Sequence, residues 1–228
     1  MKTQPYVIRQ GDYLAKLAFN EDFDADTVWN DSSNDDLRKQ RADPNVLFPG
    51  DLLQVPDGDA PPPQSLVTGS MNTFTAPDAP TATVTVKFVH ADGSSYGARA
   101  YTVTELAGLG ELTTSDGVAT FAIPVTLGRL TILFSDDGES CPLDVGGLNP
   151  LDTLSGVFQR LQNLGCIASS AQYDADSPSN NIDLLRGALR ILKSLQSPSD
   201  DGPDSAGVAD DGTLDSTTRQ MLLDAYGC

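Results

Sequence analysis

The residues best suited to chemistry are few and widely spaced. The chain has one histidine, His90, placed at the end of a strand pattern beside the turn pair Asp92-Gly93. Zinc hydrolases need several nitrogen or sulfur ligands at set spacing, and a lone turn histidine does not supply them. The three cysteines are Cys141, Cys166 and Cys228. Cys141 precedes a proline and Cys166 follows a helix-ending glycine, so neither stands where a base would activate a nucleophile. Cys166 and Cys228 would meet only if the C-terminus folds back, and free thiols are the default expectation. The glutamates Glu21, Glu105, Glu111 and Glu139 lie among polar or turn residues. A paired-carboxylate acid needs a desolvated partner. Two aspartate-rich runs, Asp174-x-Asp176 and Asp200-Asp201-Gly202-x-Asp204, lack the spacing and closing glutamate of a twelve-residue calcium loop. The expectation is a non-catalytic protein with no cofactor and no metal.

Binding surfaces are the remaining candidates. Tyr13 and Phe48 flank turns and are placed to meet a ligand, although each is equally suited to pack a small core. Trp29, the single tryptophan, falls on an apolar helix face and is expected in a core.

The elements that position these residues fall into three segments. Residues 1–57 show a β-α-α-β pattern. Tyr6-Val7-Ile8 is a strand, Gly11-Asp12 a turn with Asp12 capping the next helix, and Tyr13, Leu14, Leu17 and Ala18 recur at helical spacing. A second helix starts at Asp24 or Asp26 and carries Val28 and Trp29. Leu52-Leu53-Gln54-Val55 is the returning strand, stopped by Pro56. Residues 58–80, with Pro61-Pro62-Pro63, form an extended linker. Residues 81–145 alternate as strands at Thr83–Val89, Ala100–Thr104, Gly117–Ile123 and Leu127–Phe134. Turns are marked by Asp92-Gly93, Asp116-Gly117 and Asp137-Gly138, and the pattern implies a small antiparallel β-sandwich. Residues 146–228 turn helical. Leu154, Val157, Phe158, Leu161 and Leu164 form one stripe, closed by Gly165. Ile182, Leu185, Leu189, Leu192 and Leu195 form a second, and Leu214 to Leu223 a third, capped by Asp215 or Ser216. The fold class expected is multidomain α+β, ending in a three-helix bundle.

Charge narrows the partners. Net charge is −18, and it divides as −6 in each of residues 1–60, 65–150 and 151–228. A uniformly acidic surface repels nucleic acid and anionic lipid. No stretch approaches the ~18 apolar residues of a membrane span, so neither nucleic-acid binding nor membrane insertion is expected. Arg9, Asp12 and Lys16 interrupt the only apolar part of the first twenty residues, which does not read as a signal peptide. The expected location is the cytoplasm, with export only through a dedicated machine.

Two segments resemble known families. Tyr6-Val7-Ile8-Arg9-Gln10-Gly11-Asp12-Tyr13-Leu14, Leu17-Ala18, Trp29-Asn30 and Leu47-Phe48-Pro49-Gly50-Asp51-Leu52-Leu53-Gln54-Val55-Pro56 resemble LysM modules. The resemblance implies a glycan groove walled by Gly11, Asp12 and Tyr13 on one side and Val46, Leu47, Phe48 and Pro49 on the other. The stretch Asp31 to Asn45 is longer than the usual LysM loop. Val157-Phe158-Gln159-Arg160-Leu161-Gln162-Asn163-Leu164-Gly165, Leu185 to Leu195 and Asp211-Gly212-Thr213-Leu214-Asp215, with Thr218, Arg219 and Leu222, resemble the peptidoglycan-binding domain of wall hydrolases. Gln159, Asp211, Gly212 and Thr218 are the site residues this implies. The loop Tyr173-Asp174-Ala175-Asp176-Ser177-Pro178 departs from that pattern, lacking its Asp-Gly-x-x-Gly turn.

Together with a transthyretin-like sandwich and the phrase Leu143-Asp144-Val145-Gly146-Gly147-Leu148-Asn149-Pro150, the arrangement resembles proteins encoded beside contractile injection systems, type VI secretion among them. The expected role is an adaptor that docks on a spike or hub, baseplate or effector protein. The alternative is a wall protein that binds peptidoglycan glycan. A hydrolase effector finds no room for a catalytic domain.

Overall fold

The computed structural model describes residues 2–58, 65–73, 75, 78–90, 93–196 and 213–226. Pro61–Pro63, Asp92, the run Asp200–Asp204, Asp211, Gly212 and Cys228 lie outside the described residues. The protein is mixed α and β, and its sheets are antiparallel.

The first segment pairs β1 (Thr3–Val7) with β2 (Leu52–Pro56), in register Tyr6 opposite Leu53 and Val7 opposite Leu52. Between them come α1 (Leu14–Asn20), α2 (Ala25–Trp29), a 3-10 turn at Ser32–Asn34 and α3 (Asp35–Gln40). Ile8, Leu14, Leu17, Val28, Leu37, Leu47, Leu53 and Val55 form its core, with Trp29 half-buried against it. The long polar stretch after Asn30 is therefore more than loop. Buried Asn34 clamps β2 by donating to the Gln54 carbonyl and accepting from the Gln54 N–H. One side chain thus supplies the hydrogen bonds of a missing strand edge.

Asp12 does not cap α1. Tyr13 holds the N-cap position without a side-chain cap bond. The first helical N–H groups are met from across the chain instead, by the Pro44 carbonyl at 3.1 Å and Asn45 Oδ1 at 3.2 Å. Asp24 caps α2 as the sequence suggests, accepting from the Thr27 N–H.

In the second segment β3 (Thr81–Lys87) pairs with β6 (Val118–Pro124). A second sheet orders β5 (Leu112–Thr113), β4 (Ala100–Val103), β7 (Arg129–Phe134) and β8 (Ser140–Asp144). The two sheets share one core that includes Tyr101, Phe121, Ile123, Leu130, Ile132 and Phe134. Strands β5 and β8 go unseen in the sequence pattern. The first is two residues long, and the second carries Pro142 on the sheet's edge, where a missing N–H is tolerated.

The third segment holds α4 (Leu154–Asn163), α5 (Pro178–Gln196) and α6 (Ser216–Tyr226). Leu161, Leu185, Leu189 and Leu222 are fully enclosed in its core. Leu195, expected in that stripe, is 47% exposed at the end of α5. Among the described residues no helix is long and apolar enough to cross a membrane.

Asp215 caps α6 by accepting from the Thr218 N–H at 2.7 Å and its hydroxyl at 3.0 Å. Chiefly through the N–H bond, the carboxyl is held below its ordinary value. Its contribution is therefore complete above about pH 4 and is lost as pH falls through the folded value. Asp215→Ala is expected to cost ~1 kcal/mol at neutral pH, read as a lower urea midpoint. A variant as stable as the parent would contradict this cap.

Candidate functional site

Tyr13, whose position after a turn suited it equally to a ligand or to a core, is only 5% exposed. Its hydroxyl donates to the Val125 carbonyl of the second segment at 2.5 Å. Burial pushes that hydroxyl's pKa up, so it stays a protonated donor. The ring is roofed by Gly146. That residue has φ +78°, and a Cβ there would lie 2.7 Å from Tyr13 Cδ1. Only glycine admits both the backbone angle and the approach.

The same contact continues along residues 146–152, the connector between the β segment and α4. Gln10 Nε2 donates to the Gly147 carbonyl at 3.0 Å. Gln159 Nε2, on α4, donates to that same oxygen at 2.9 Å, and Gln159 Oε1 accepts from the Asn149 N–H. Arg160 is 1% exposed and donates to the Asn149 carbonyl at 2.7 Å. Gly156 lets α4 sit flush on the connector, because a Cβ there would fall 2.0 Å from the Pro150 carbonyl oxygen. Thr153 caps α4 and also donates to that oxygen.

Arg41, contributed by the long stretch after α3, completes the contact. It makes a bidentate pair with Asp51, through Nε and Nη2 at 2.7 and 3.0 Å, and donates from Nη1 to both carboxylate oxygens of Asp152 of the connector, at 2.8 and 3.1 Å. Its guanidinium carbon lies 5.8 Å from the Phe48 ring centroid. Asp51 also accepts from the Phe48 N–H, which ties the turn before β2 to the network. Bidentate geometry fixes direction as well as energy.

The remaining candidates have structural partners too. Asp12 accepts from the Tyr6 hydroxyl and the Arg9 N–H, both at 2.9 Å, so it builds its own turn. Lys16 donates to the Gly11 carbonyl. Leu47 is core, while Val46, Phe48 and Pro49 are half-buried. Thr218 is buried and bonded to Asp215. The structure brings Gly11, Tyr13 and Gln159 to one connector and leaves Thr218 apart. No sequence signal marked Arg41 or Asp152, which meet across 111 positions, and Gln10 and Gly146, though they lie in stretches of family resemblance, carried no sign of the contacts they make.

The chemistry-bearing residues are equally settled. His90 stacks on Tyr96 with centroids 4.4 Å apart. Burial raises the pKa of the thiols of Cys141 and Cys166, which keeps both protonated at neutral pH. Asp174 accepts from the Asp176 N–H. Among the described residues no three potential metal ligands cluster.

Asp51 and Arg41 bury each other, whereas Asp152 keeps 45% of its side chain exposed. Asp51→Ala should therefore cost ~3 kcal/mol, because it leaves the buried guanidinium only its half-exposed partner Asp152. Asp152→Ala should cost no more than ~1 kcal/mol. Urea unfolding of both variants checks the ratio, and equal losses would refute it. Comparison of the chain with protein-family models, with curated proteins and with solved structures gave no match.

Proposed function

We propose that the chain is a non-catalytic adaptor of a bacterial contractile injection apparatus, of the type VI secretion kind. In this reading residues 1–57 are a LysM-like module, residues 81–145 a transthyretin-like β-sandwich, and residues 146–228 a peptidoglycan-binding-like helical bundle. The partner is a spike or hub, baseplate or effector protein. What supports the reading is the resemblance of all three segments to such proteins, and one observation above the rest. One wall of the face that a LysM-like module would offer to glycan, Gly11 to Tyr13, packs against the chain's own Val125 and Gly146, and the adjoining Gln10 and Arg41 bond to Gly147 and Asp152. A module that spends this face on its neighbours acts as a building block. The acidic charge, spread evenly, suits a protein partner better than nucleic acid. One observation favours the alternative of peptidoglycan binding: Phe48 and Pro49 remain half-exposed beside the contact.

Sedimentation with insoluble peptidoglycan sacculi separates the two. The adaptor reading expects the protein to stay in the supernatant. If it pellets, and Phe48→Ala releases it, wall recognition becomes the function. Sheath, tube and spike genes beside its own would add independent support.

A further inference from the structure

The contact that holds the first segment is largely polar. Nearly all buried apolar residues fall into three separate clusters, one per segment, and Tyr13 and Val125, buried at the junction, belong to none of them. Among the described residues the first segment contributes the Tyr13 ring against Gly146, its hydroxyl to Val125, the Gln10 amide to Gly147 and the Arg41 guanidinium to Asp152. Contacts of this polar kind between domains are typical of ones that open and close. The acidic end of the arginine pair is half in water, open to a competing carboxylate. Residues 58–80 join the first segment to the second, and a chain of that length spans at most ~80 Å when fully extended. Release breaks no covalent bond.

We propose that this face of the first segment is a peptide-docking surface, occupied in cis by residues 146–152, and that a partner segment of the same chemistry displaces them. The occupant defines that chemistry. It has no side chain where it meets the Tyr13 ring. It offers a backbone carbonyl to Gln10, and a carboxylate to Arg41 five residues further on. A partner protein presenting a glycine, an accepting carbonyl and an aspartate at that interval fits the same three groups. This deepens the adaptor reading and rests on it for the nature of the partner.

The test uses the full chain and a fluorescein-labelled peptide with the sequence of residues 143–153. Gly146→Val and Asp152→Ala alter only the occupant and leave Tyr13, Gln10 and Arg41 in place. Apparent affinity scales with the fraction of the surface left free of its cis occupant, so fluorescence anisotropy should show tighter peptide binding than to the parent, by up to roughly fivefold for Asp152→Ala and by more for Gly146→Val. A peptide carrying Asn in place of the Asp152 equivalent should lose that gain. If Gly146→Val fails to fold, Asp152→Ala, at an exposed residue, decides alone. Binding that is absent, or equal in parent and variants, overturns the proposal. Failure of the peptide while the parent stays off sacculi removes the exchange and leaves the adaptor reading. Peptide binding by a protein that also pellets with sacculi does the reverse.

Discussion

The carbonyl of Gly147 accepts from Gln10 on one side and Gln159 on the other. The relation among the three segments depends on that short piece of backbone. It works because the connector presents bare backbone where it must. Gly146 leaves room for the Tyr13 ring, and Gly156 lets α4 close against Pro150. A side chain at Gly146 would push the first segment away, and one at Gly156 would lift α4 off the connector. Leu151, next along the chain, is already part of the third core, so the connector is anchored at one end by apolar burial. At the other end polar bonds hold it.

The division of labour follows from this. Each segment buries most of its apolar residues in a core of its own. Orientation is then left to directional bonds, which are weak in net energy but demanding in geometry. Arg41 illustrates the economy of the arrangement. The pair with Asp51 stays within the first segment and holds the guanidinium in place, and the pair with Asp152 then reaches out from a fixed point. An arginine suits this double task because its donors are planar and preset.

Much of the local structure was legible in the residues. The helix starts were legible to within a residue or two, with Asp24 or Asp26 and Asp215 or Ser216 as candidate caps, and the structure uses Asp24 and Asp215. Alternation found four of the six middle strands. It missed β5, too short for a period, and β8, whose edge proline disguised it. Asp12 was misjudged because capping is ordinarily local, whereas here Pro44 and Asn45 supply the acceptors. Leu195 obeyed the helical period but fell beyond the surface its helix covers. The candidate site was the least legible part. Position after a turn marked Tyr13 as reachable, and no periodicity tells a ring that meets a ligand from one that meets residues 112 and 133 positions downstream. Gln159 was marked by resemblance, and its partners give it a different task from the one implied.

The central claim is that the Tyr13 face is covered by the chain's own connector. The most direct measurement is a nuclear Overhauser spectrum of the full-length, isotopically labelled protein in solution. The structure predicts cross-peaks between the Tyr13 ring protons and the Gly146 α-protons, which pack against each other. Absence of those peaks, with a Tyr13 ring that behaves as a solvent-exposed one, would contradict the account.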